Sequence, residues 1–313
     1  MPEISSGLTE MLKTTEYGDA MGATYSVVLY GQNQAAMKAA IDAAFAEVGR
    51  LDALLSNYRA ESEWSGVNRR AAQEPVLVSP ELFQLLSACL AYSRESEGAF
   101  DIAVGPLIKL WGFYKGSGRL PSPAEVAAIL PNIGCQHVHL DAAEQTVRFD
   151  RSGVELDPGG IGKGYAVDCL VDVLRQRGFQ IAFVAGSEST MYGMGAPPTE
   201  PKGWRVGIKD PRNPRRMVDE VFLKDMSMST SGSYEKFFRS EGRTYAHIMD
   251  PRTGYPAHES GSVSVVAAHA IDSEAWAKPY FINGRQWTER HKPKEFRVCF
   301  CAGGTESPCS WLP

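Results

Sequence analysis

The stretch ELDPGGIGKGYAVD, residues 155–168, carries much of the information in this sequence. A short strand runs into a glycine-rich loop, and a helix follows with Lys163 in or beside its first turn. Exposed backbone N–H groups, the positive end of the helix dipole and a lysine ammonium together favour phosphate oxygens. The alternative is an ordinary strand-to-helix turn with a solvated lysine. Taken by itself, this stretch does not decide between the two.

Two familiar nucleotide-binding loops are excluded by the residues that follow. A Walker A loop requires Ser or Thr after Gly-Lys, and Gly164 stands there instead. A dinucleotide fingerprint would need a third glycine at the position of Val167. The stretch therefore belongs to neither class.

A second stretch, AHIMDPRTGYP at residues 246–256, combines a histidine, an aspartate and an arginine. Pro251 and Gly254 indicate a turn, because proline fixes φ and glycine permits positive φ. His247 and Asp250 are then expected at the end of a strand TYAHIM, on the lip of a loop. Such turns are common and a single histidine is more often structural than catalytic, so spacing alone favours a structural role.

Around these stretches, helical and strand patterns mix without a strict βαβ order. Helices are expected after Asn33, after Ser79 with Pro80, after Ser122 in a capping box with Glu125, and from about Gly164 to Arg177. HVHLD and TVRFD predict a hairpin, and the second half is mostly strand, with IAFVAG, WRVGIKD, YAHIM, SVSVVAAHA and FRVCFC. This mixture predicts an α+β fold with largely antiparallel sheets and packed helices, not a doubly wound parallel sheet.

Composition narrows the functional class. The chain has 313 residues, 43% of them hydrophobic, and a formal net charge of −5. It lacks a basic run interleaved with aromatics, so no nucleic-acid partner is expected. No transmembrane segment is expected either, and residues 1–20 lack the apolar core of an export signal. A cytoplasmic location is the expectation for the chain as written, and a periplasmic one if a signal has been trimmed.

The six cysteines show no Cys-x-x-Cys spacing, which argues against a zinc site. Buried reduced thiols are the default expectation. Pairing among Cys299, Cys301 and Cys309 is the alternative for an exported protein.

Taken together and in this order, several stretches resemble the ApbE family, the FAD:protein FMN transferases. The stretches at 20–27 (AMGATYSV), 58–68 (YRAESEWSGVN) and 98–113 (GAFDIAVGPLIKLWGF) resemble that family's Met-Gly-Thr, Ser-Glu-to-Asn and Phe-Asp-Pro segments. GGIGKGYAVD at 159–168 resembles its Gly-Gly-Ile-Ala-Lys-Gly loop, and HIMDPRTGYP at 247–256 its His-x-x-Asp-Pro-x-Thr-Gly signature. The last two motifs are specific and co-linear, which makes chance a poor explanation.

The resemblance implies an ApbE-like domain over residues 17–284, with a flavin site in a cleft between two lobes. Residues 1–16 are then expected as an N-terminal extension, and residues 285–313 as a strand and tail packed on the same domain. Family members use Mg²⁺ on the pyrophosphate of FAD and move FMN onto a threonine or serine of an acceptor protein, releasing AMP. FAD and such an acceptor, for example a membrane redox subunit, are the expected partners.

The resemblance also implies roles for particular residues. His247 is the candidate general base, because an imidazole can accept a proton at neutral pH. The residues expected to bind the flavin nucleotide are Met21, Tyr58, Asp101, Lys163, Glu188, Asp250 and Thr253. The residues expected to ligate Mg²⁺ are Gly162, through its carbonyl, Asp272 and Glu274. For Asp101, a cap or turn role is the alternative to ligand contact.

Departures from the family pattern concern the metal site above all. The family usually has an Asp and then a Thr four residues later, and Asp272 is followed at that spacing by Trp276, which cannot ligate Mg²⁺. Glu274, Ser273 or water would then fill the place, and a helix N-cap is the alternative role for Asp272. Gly186-Ser187-Glu188 also replaces the family's Gly-Gly-Asp.

Three functions follow from these observations. The leading one is a Mg²⁺-dependent flavin transferase. The second is a relative that hydrolyses FAD to FMN and AMP, or only holds FAD, because its metal site is altered. The third is an interaction protein that keeps the fold without binding flavin.

Overall fold

The computed structural model describes residues 11–115, 118–234, 237–240, 242–257, 261–303 and 309–313. The helices are α1 (Gln34–Leu55), α2 (Glu63–Arg70), α3 (Pro80–Glu95), α4 (Gly105–Leu110), α5 (Pro123–Ile129), α6 (Gly162–Gln176) and α7 (Ala270–His291). The strands are β1 (Leu12–Ala20), β2 (Ala23–Gly31), β3 (Val76–Leu77), β4 (Val138–Asp141), β5 (Thr146–Phe149), β6 (Ala182–Gly186), β7 (Thr190–Met194), β8 (Trp204–Asp210), β9 (Asn213–Leu223), β10 (Met226–Gly232), β11 (Phe237–Ser240), β12 (Arg243–Ala246), β13 (Met249–Asp250), β14 (Tyr255–Pro256), β15 (Gly261–Ala267), β16 (Arg297–Ala302) and β17 (Cys309–Trp311).

The predicted helix starts are confirmed by their capping hydrogen bonds. The Asn33 side chain accepts from Ala36 N at 3.0 Å, and Ser79 Oγ accepts from Leu82 N at 3.3 Å. Ser122 and Glu125 form the expected capping box. These side chains satisfy backbone N–H groups that a first helical turn cannot bond internally. The local signals therefore predicted these elements well.

A single large sheet organises the molecule. Its strand order is β1-β2-β6-β7-β10-β15-β16-β17, and each neighbouring pair is antiparallel. Helix α6 packs against both α1 and α7, and all three helices pack against this sheet. The α+β prediction with largely antiparallel strands is confirmed.

The two faces of the large sheet are covered by different elements. On β10, Ser227 Oγ lies 3.1 Å from Ser273 Oγ of α7, whereas Met228 packs with Val206 and Leu223 of the β8–β9 pair. Successive residues of a strand point to opposite faces. Helix α7 therefore covers one face and the β8–β9 pair the other.

A second, smaller core lies beside the large one. It is formed by Leu107 of α4, Trp111 at the C-terminal cap of α4, Val126 of α5, Ile133 and Met249. The larger core joins α1, α2, α3 and α6 to β2 and β6. The two cores form the two sides of the cleft described below.

Both ends of the described chain contribute strands to the large sheet. Strand β1 begins at Leu12 and pairs with β2, so residues 12–16 belong to the sheet; residues 1–10 lie outside the described part. After 284, the chain completes α7, which kinks at Gly284, and adds β16 and β17 to the large sheet. Residues 304–308 of the expected tail are likewise outside the described part.

The default expectation of six reduced thiols is wrong for one pair. Cys301 and Cys309 are directly opposed across β16 and β17 and form a disulfide, and Cys299 remains a buried thiol. The antiparallel register brings the two side chains together. Among the described helices, none has both the length and the apolar character needed to cross a membrane.

Candidate flavin-nucleotide site

A cleft of about 340 Å³ lies between the two cores. Its walls come from the β1–β2 turn, the end of α1, the segment before α4, the start of α6, β10 and α7. Of the residues predicted from sequence to form the site, seven line it: Met21, Tyr58, Asp101, Gly162, Lys163, His247 and Glu274. The other four, Glu188, Asp250, Thr253 and Asp272, are not among the described residues that line the cleft.

The glycine-rich loop, residues 157–163, lies at the floor of the cleft and leads into α6. Several of its backbone N–H groups already donate to protein acceptors. Gly159 N donates to Asp157 Oδ1 at 2.8 Å, and Gly162 N donates to Pro158 O at 2.9 Å. These two N–H groups are therefore not exposed as the sequence predicted, whereas Lys163 lines the cleft as predicted.

Helix α6 is capped by a residue distant in sequence. Gly164 N donates to Glu274 Oε2 at 2.5 Å, and Lys163 Nζ lies 2.7 Å from Glu274 Oε1. The Glu274 carboxylate is almost fully buried, so the ion pair and the amide offset the cost of burying its charge. The helix begins at Gly162, two residues before the predicted start.

Helix α7 is capped in return by α6. Asp168 Oδ1 accepts from Ala270 N at 2.8 Å, and Asp168 Oδ2 accepts from Ile271 N at 2.9 Å. Burial raises the pKa of Asp168 to about 6, despite these two amides. The alternative that Asp272 is the N-cap of α7 is wrong, because the cap position is His269.

Gly164 allows the two helices to approach this closely. A Cβ added at Gly164 would lie 2.4 Å from the carbonyl oxygen of Ala270, inside any tolerable contact. The glycine is therefore required by the contact between α6 and α7 that supports the loop.

The histidine turn, residues 247–254, enters the cleft from the opposite side. Asp250 accepts from Arg252 Nε at 2.8 Å, from a second guanidinium nitrogen at 2.9 Å and from Arg252 N at 3.0 Å. Gly254 N donates to Asp250 O at 2.9 Å, and Trp111 Nε1 donates to Gly254 O at 3.0 Å. Thr253 Oγ1 accepts from Tyr255 N at 3.3 Å within the same turn. Asp250 and Thr253 thus have their observed contacts within the turn.

The predicted strand TYAHIM is interrupted at His247. Strand β12 ends at Ala246 and β13 begins at Met249, with a bend between them. The bend brings the half-buried His247 to the cleft, where its ring meets the edge of Phe113 at a centroid distance of 6.5 Å. In a continuous strand, the alternation of side chains between the two faces would decide where the His247 side chain points. Here the bend in the backbone decides it.

Aromatic and amide groups form the mouth of the cleft. Tyr58 is largely exposed and stacks on Tyr114 with ring centroids 4.9 Å apart. Asn57 Nδ2 donates to Asp157 Oδ2 at 3.0 Å, while Asn57 Oδ1 is buried and lacks a hydrogen-bond partner within the described residues. An acceptor without a donor at the wall of a cleft suits a polar ligand group.

Two of the predicted carboxylates have other partners. Asp101 accepts from Ala103 N at 2.6 Å and from Cys135 N at 2.7 Å, and burial raises its pKa. These bonds favour the loop-organising role that was the alternative for Asp101, although it also lines the cleft. Glu188 is exposed and contacts Lys209, and its neighbours Ser187 and Ser189 line the cleft instead.

Two residues that line the cleft were not predicted from the sequence. Asp157 stands at the start of the quoted glycine-rich loop, and burial raises its pKa. Lys278 of α7 donates to Gly159 O at 3.1 Å. The available signal for Lys278 was its position four residues after Glu274, on the same face of a helix.

The two faces of α7 explain why the predicted metal ligands do not meet. Glu274 and Lys278 face the cleft. Asp272 and Trp276, each two residues earlier, face Tyr92, whose hydroxyl donates to Asp272 Oδ1 at 2.5 Å and whose ring meets Trp276 edge-on at 6.2 Å. Two residues along a helix correspond to about 200° of rotation, so the two pairs cannot share a site.

The cleft residues do not match a magnesium site. Mg²⁺ requires near-octahedral oxygen ligands around one point. Asp272 is turned away, and the Glu274 carboxylate is already engaged by Lys163 and Gly164 N. Among the described side chains, groups of three residues of metal-ligating type occur at Cys299, Cys301 and Cys309, two of which form the disulfide, and at Glu47, Glu81 and Cys169; both groups lie outside the cleft. The predicted set of Gly162, Asp272 and Glu274 is therefore not brought together.

The chain matches the family model described as "ApbE family" over residues 21–299. It is 33% identical over 265 residues to a FAD:protein FMN transferase of Klebsiella pneumoniae, covering 83% of this chain and 79% of that protein. It is 32% identical over 290 residues to one of Treponema pallidum, covering 87% and 80%.

Solved structures agree with this match. The crystal structure of the ApbE protein from Thermotoga maritima aligns with a TM-score of 0.87 at 28% identity, covering 96% of this chain and 97% of that one. The apo form of the Pseudomonas stutzeri flavinyl transferase ApbE aligns with a TM-score of 0.84 at 27% identity, covering 97% and 95%. With the same order of motifs and the same fold, this protein belongs to the ApbE family.

Proposed function

We propose that this protein transfers FMN from FAD to a threonine or serine hydroxyl of an acceptor protein and releases AMP. As a member of the ApbE family, it is a flavin transferase. The observation that carries the finer proposal is that Lys163 and His247, from two motifs distant in sequence, line one cleft. One supplies a positive charge for a phosphate, and the other a base for an alcohol.

The phosphate side of the reaction is supported by the start of α6. The positive end of a helix dipole favours anions. Lys163 is paired with Glu274 and lines the cleft, so its ammonium adds positive charge beside the place proposed for a phosphate. Asp157 and Glu274 are the acidic groups nearest this loop, and both are held by hydrogen bonds from protein donors.

In the proposed step, the acceptor hydroxyl oxygen attacks the phosphorus on the riboflavin side of the FAD diphosphate. A new P–O bond forms, and the bond from that phosphorus to the bridging oxygen breaks. AMP leaves with the bridging oxygen and its electron pair, and His247 takes the proton of the hydroxyl. In-line placement and charge neutralisation are the main demands of such a transfer.

Magnesium dependence was part of the expectation from the family resemblance. The donor set of this chain does not support it, since Asp272 faces Tyr92. The remaining roles proposed for Met21 and Tyr58 are contacts to the nucleotide from the cleft wall.

The test uses purified protein, FAD and an acceptor domain with one threonine at the flavinylated position. A twin acceptor with that threonine replaced by valine is the matched control. We expect the threonine acceptor to gain the mass of FMN, with one AMP released per label and no label on the twin. AMP release without any label would favour the hydrolase alternative, and FAD bound without turnover would favour a holding protein.

A further inference from the structure

Lys278 lies on the cleft-facing side of α7, one helical turn after Glu274. Its Nζ donates to the carbonyl oxygen of Gly159 at 3.1 Å. A Cβ added at Gly160 would lie 3.6 Å from the same nitrogen, so the ammonium rests against the glycine-rich loop. The hydrogen bond to a backbone carbonyl therefore holds the Lys278 ammonium in this position.

We infer that Lys278 is a substrate-binding residue, whose ammonium neutralises the diphosphate of FAD where the family resemblance implies a magnesium ion. This inference rests on the proposed function, since it assigns a partner to the diphosphate of that substrate. Its consequence is that FAD binding by this chain does not require a divalent cation.

The balance of charge around the loop supports the inference. Burial raises the pKa of Asp157, and the Lys278 ammonium acts against that rise. The Glu274 carboxylate is matched by Lys163. A divalent cation added beside Lys278 would face a positive charge at close range, which costs free energy in a half-buried site.

The geometry of the helix supports it independently. The spacing of four residues, which the resemblance associates with two metal ligands, is realised in the cleft by Glu274 and Lys278. The second of these side chains carries donors and no acceptor, so it can bind phosphate oxygens but cannot ligate a metal while protonated. The bond from Nζ to Gly159 O holds the ammonium beside the glycine-rich loop.

The test compares FAD with riboflavin, which lacks the diphosphate and adenosine. Binding of each is measured by flavin fluorescence in EDTA and in MgCl₂, for the wild type, Lys278→Met and Lys278→Arg. Lys38→Met is the matched control, because Lys38 is exposed on α1 and pairs with Asp42. Riboflavin affinity and the thermal unfolding midpoint report whether each variant keeps its fold.

We expect the wild type to bind FAD equally in EDTA and in MgCl₂. Lys278→Met should weaken FAD binding by about 10- to 100-fold, the range for a lost charge-assisted hydrogen bond, with riboflavin affinity unchanged. Lys278→Arg should retain most of the FAD affinity, and Lys38→Met all of it.

Two results would overturn the inference while leaving the proposed function in place. One is FAD binding by the wild type that disappears in EDTA and returns with MgCl₂. The other is a Lys278→Met variant that binds FAD as tightly as the wild type. A wild type that binds no FAD in either buffer would instead overturn the proposed function, and the inference with it.

Discussion

The glycine-rich loop and the histidine turn both contribute to the cleft, but they are held in different ways. The histidine turn is held largely by its own residues, with Asp250 bonded to Arg252 two positions away. The loop also has local bonds, but the helix that follows it is held by residues more than a hundred positions away: Gly164 N donates to Glu274, and Asp168 of α6 caps α7 at Ala270. The structure of a short motif can therefore be stabilised by its own residues, or it can depend on a helix from another part of the chain.

The largest expected effect comes from breaking the long-range support of the loop. Gly164→Ala would place a methyl group 2.4 Å from Ala270 O. We expect the free energy of unfolding to fall by about 3 kcal/mol or more, because backbone on both sides must move. Urea unfolding with far-ultraviolet circular dichroism measures this loss.

Gly49→Ala on α1 is the matched control for that substitution. Nothing lies within 4 Å of the added Cβ at Gly49. This control should raise stability by about 0.5–1 kcal/mol, the usual gain for Gly to Ala in a helix. Equal effects at both glycines would refute the close contact between α6 and α7.

A second effect concerns the cap that α6 gives to α7. Burial raises the pKa of Asp168 to about 6 from 3.8. Between these two values the folded state binds more protons than the unfolded state, so the free energy of unfolding falls as pH rises. The loss from this group should total about 3 kcal/mol.

The matched variant for this prediction is Asp168→Asn, which keeps the shape of the side chain and cannot ionise. Unfolding by urea at several pH values should show the wild type losing stability relative to the variant from pH 4 to pH 6. Parallel pH profiles for the two proteins would contradict the buried position of this carboxylate.

A smaller effect is expected at the histidine turn. Asp250→Ala removes the bidentate contact to Arg252 and the bond to its backbone amide. Because the turn is partly exposed and has other bonds, we expect a loss of about 1 kcal/mol in the free energy of unfolding. FAD titration of the same variant separates the two proposed roles: unchanged affinity supports a turn-holding role, and a clear loss supports direct contact with the flavin.

The same contrast explains what the sequence could predict. The caps at Asn33, Ser79 and Ser122 involve neighbours within three residues, and the prediction of these helix starts is confirmed. The two specific motifs predicted the family, and the mixture of helix and strand patterns predicted the fold class. Contacts between α6 and α7 left no local signal, because Glu274 and Gly164 are 110 positions apart.

Helix rotation accounts for the remaining difference at the metal site. Asp272 and Glu274 differ by two positions, and the sequence alone does not say which of them faces the cleft. The packing of Trp276 beside Tyr280 and Tyr92 settles the rotation of α7. That packing involves α3, which is distant in sequence, so the four-residue spacing of Glu274 and Lys278 did not by itself show that this pair faces the cleft.

The central claim is that the cleft carries out flavin transfer with His247 as the base. The most direct measurement is single-turnover transfer of FMN to the threonine acceptor by His247→Ala, with FAD affinity determined on the same sample. We predict a transfer rate lower by about 10² to 10⁴ and an unchanged FAD affinity. Transfer at the wild-type rate by this variant would contradict the claim.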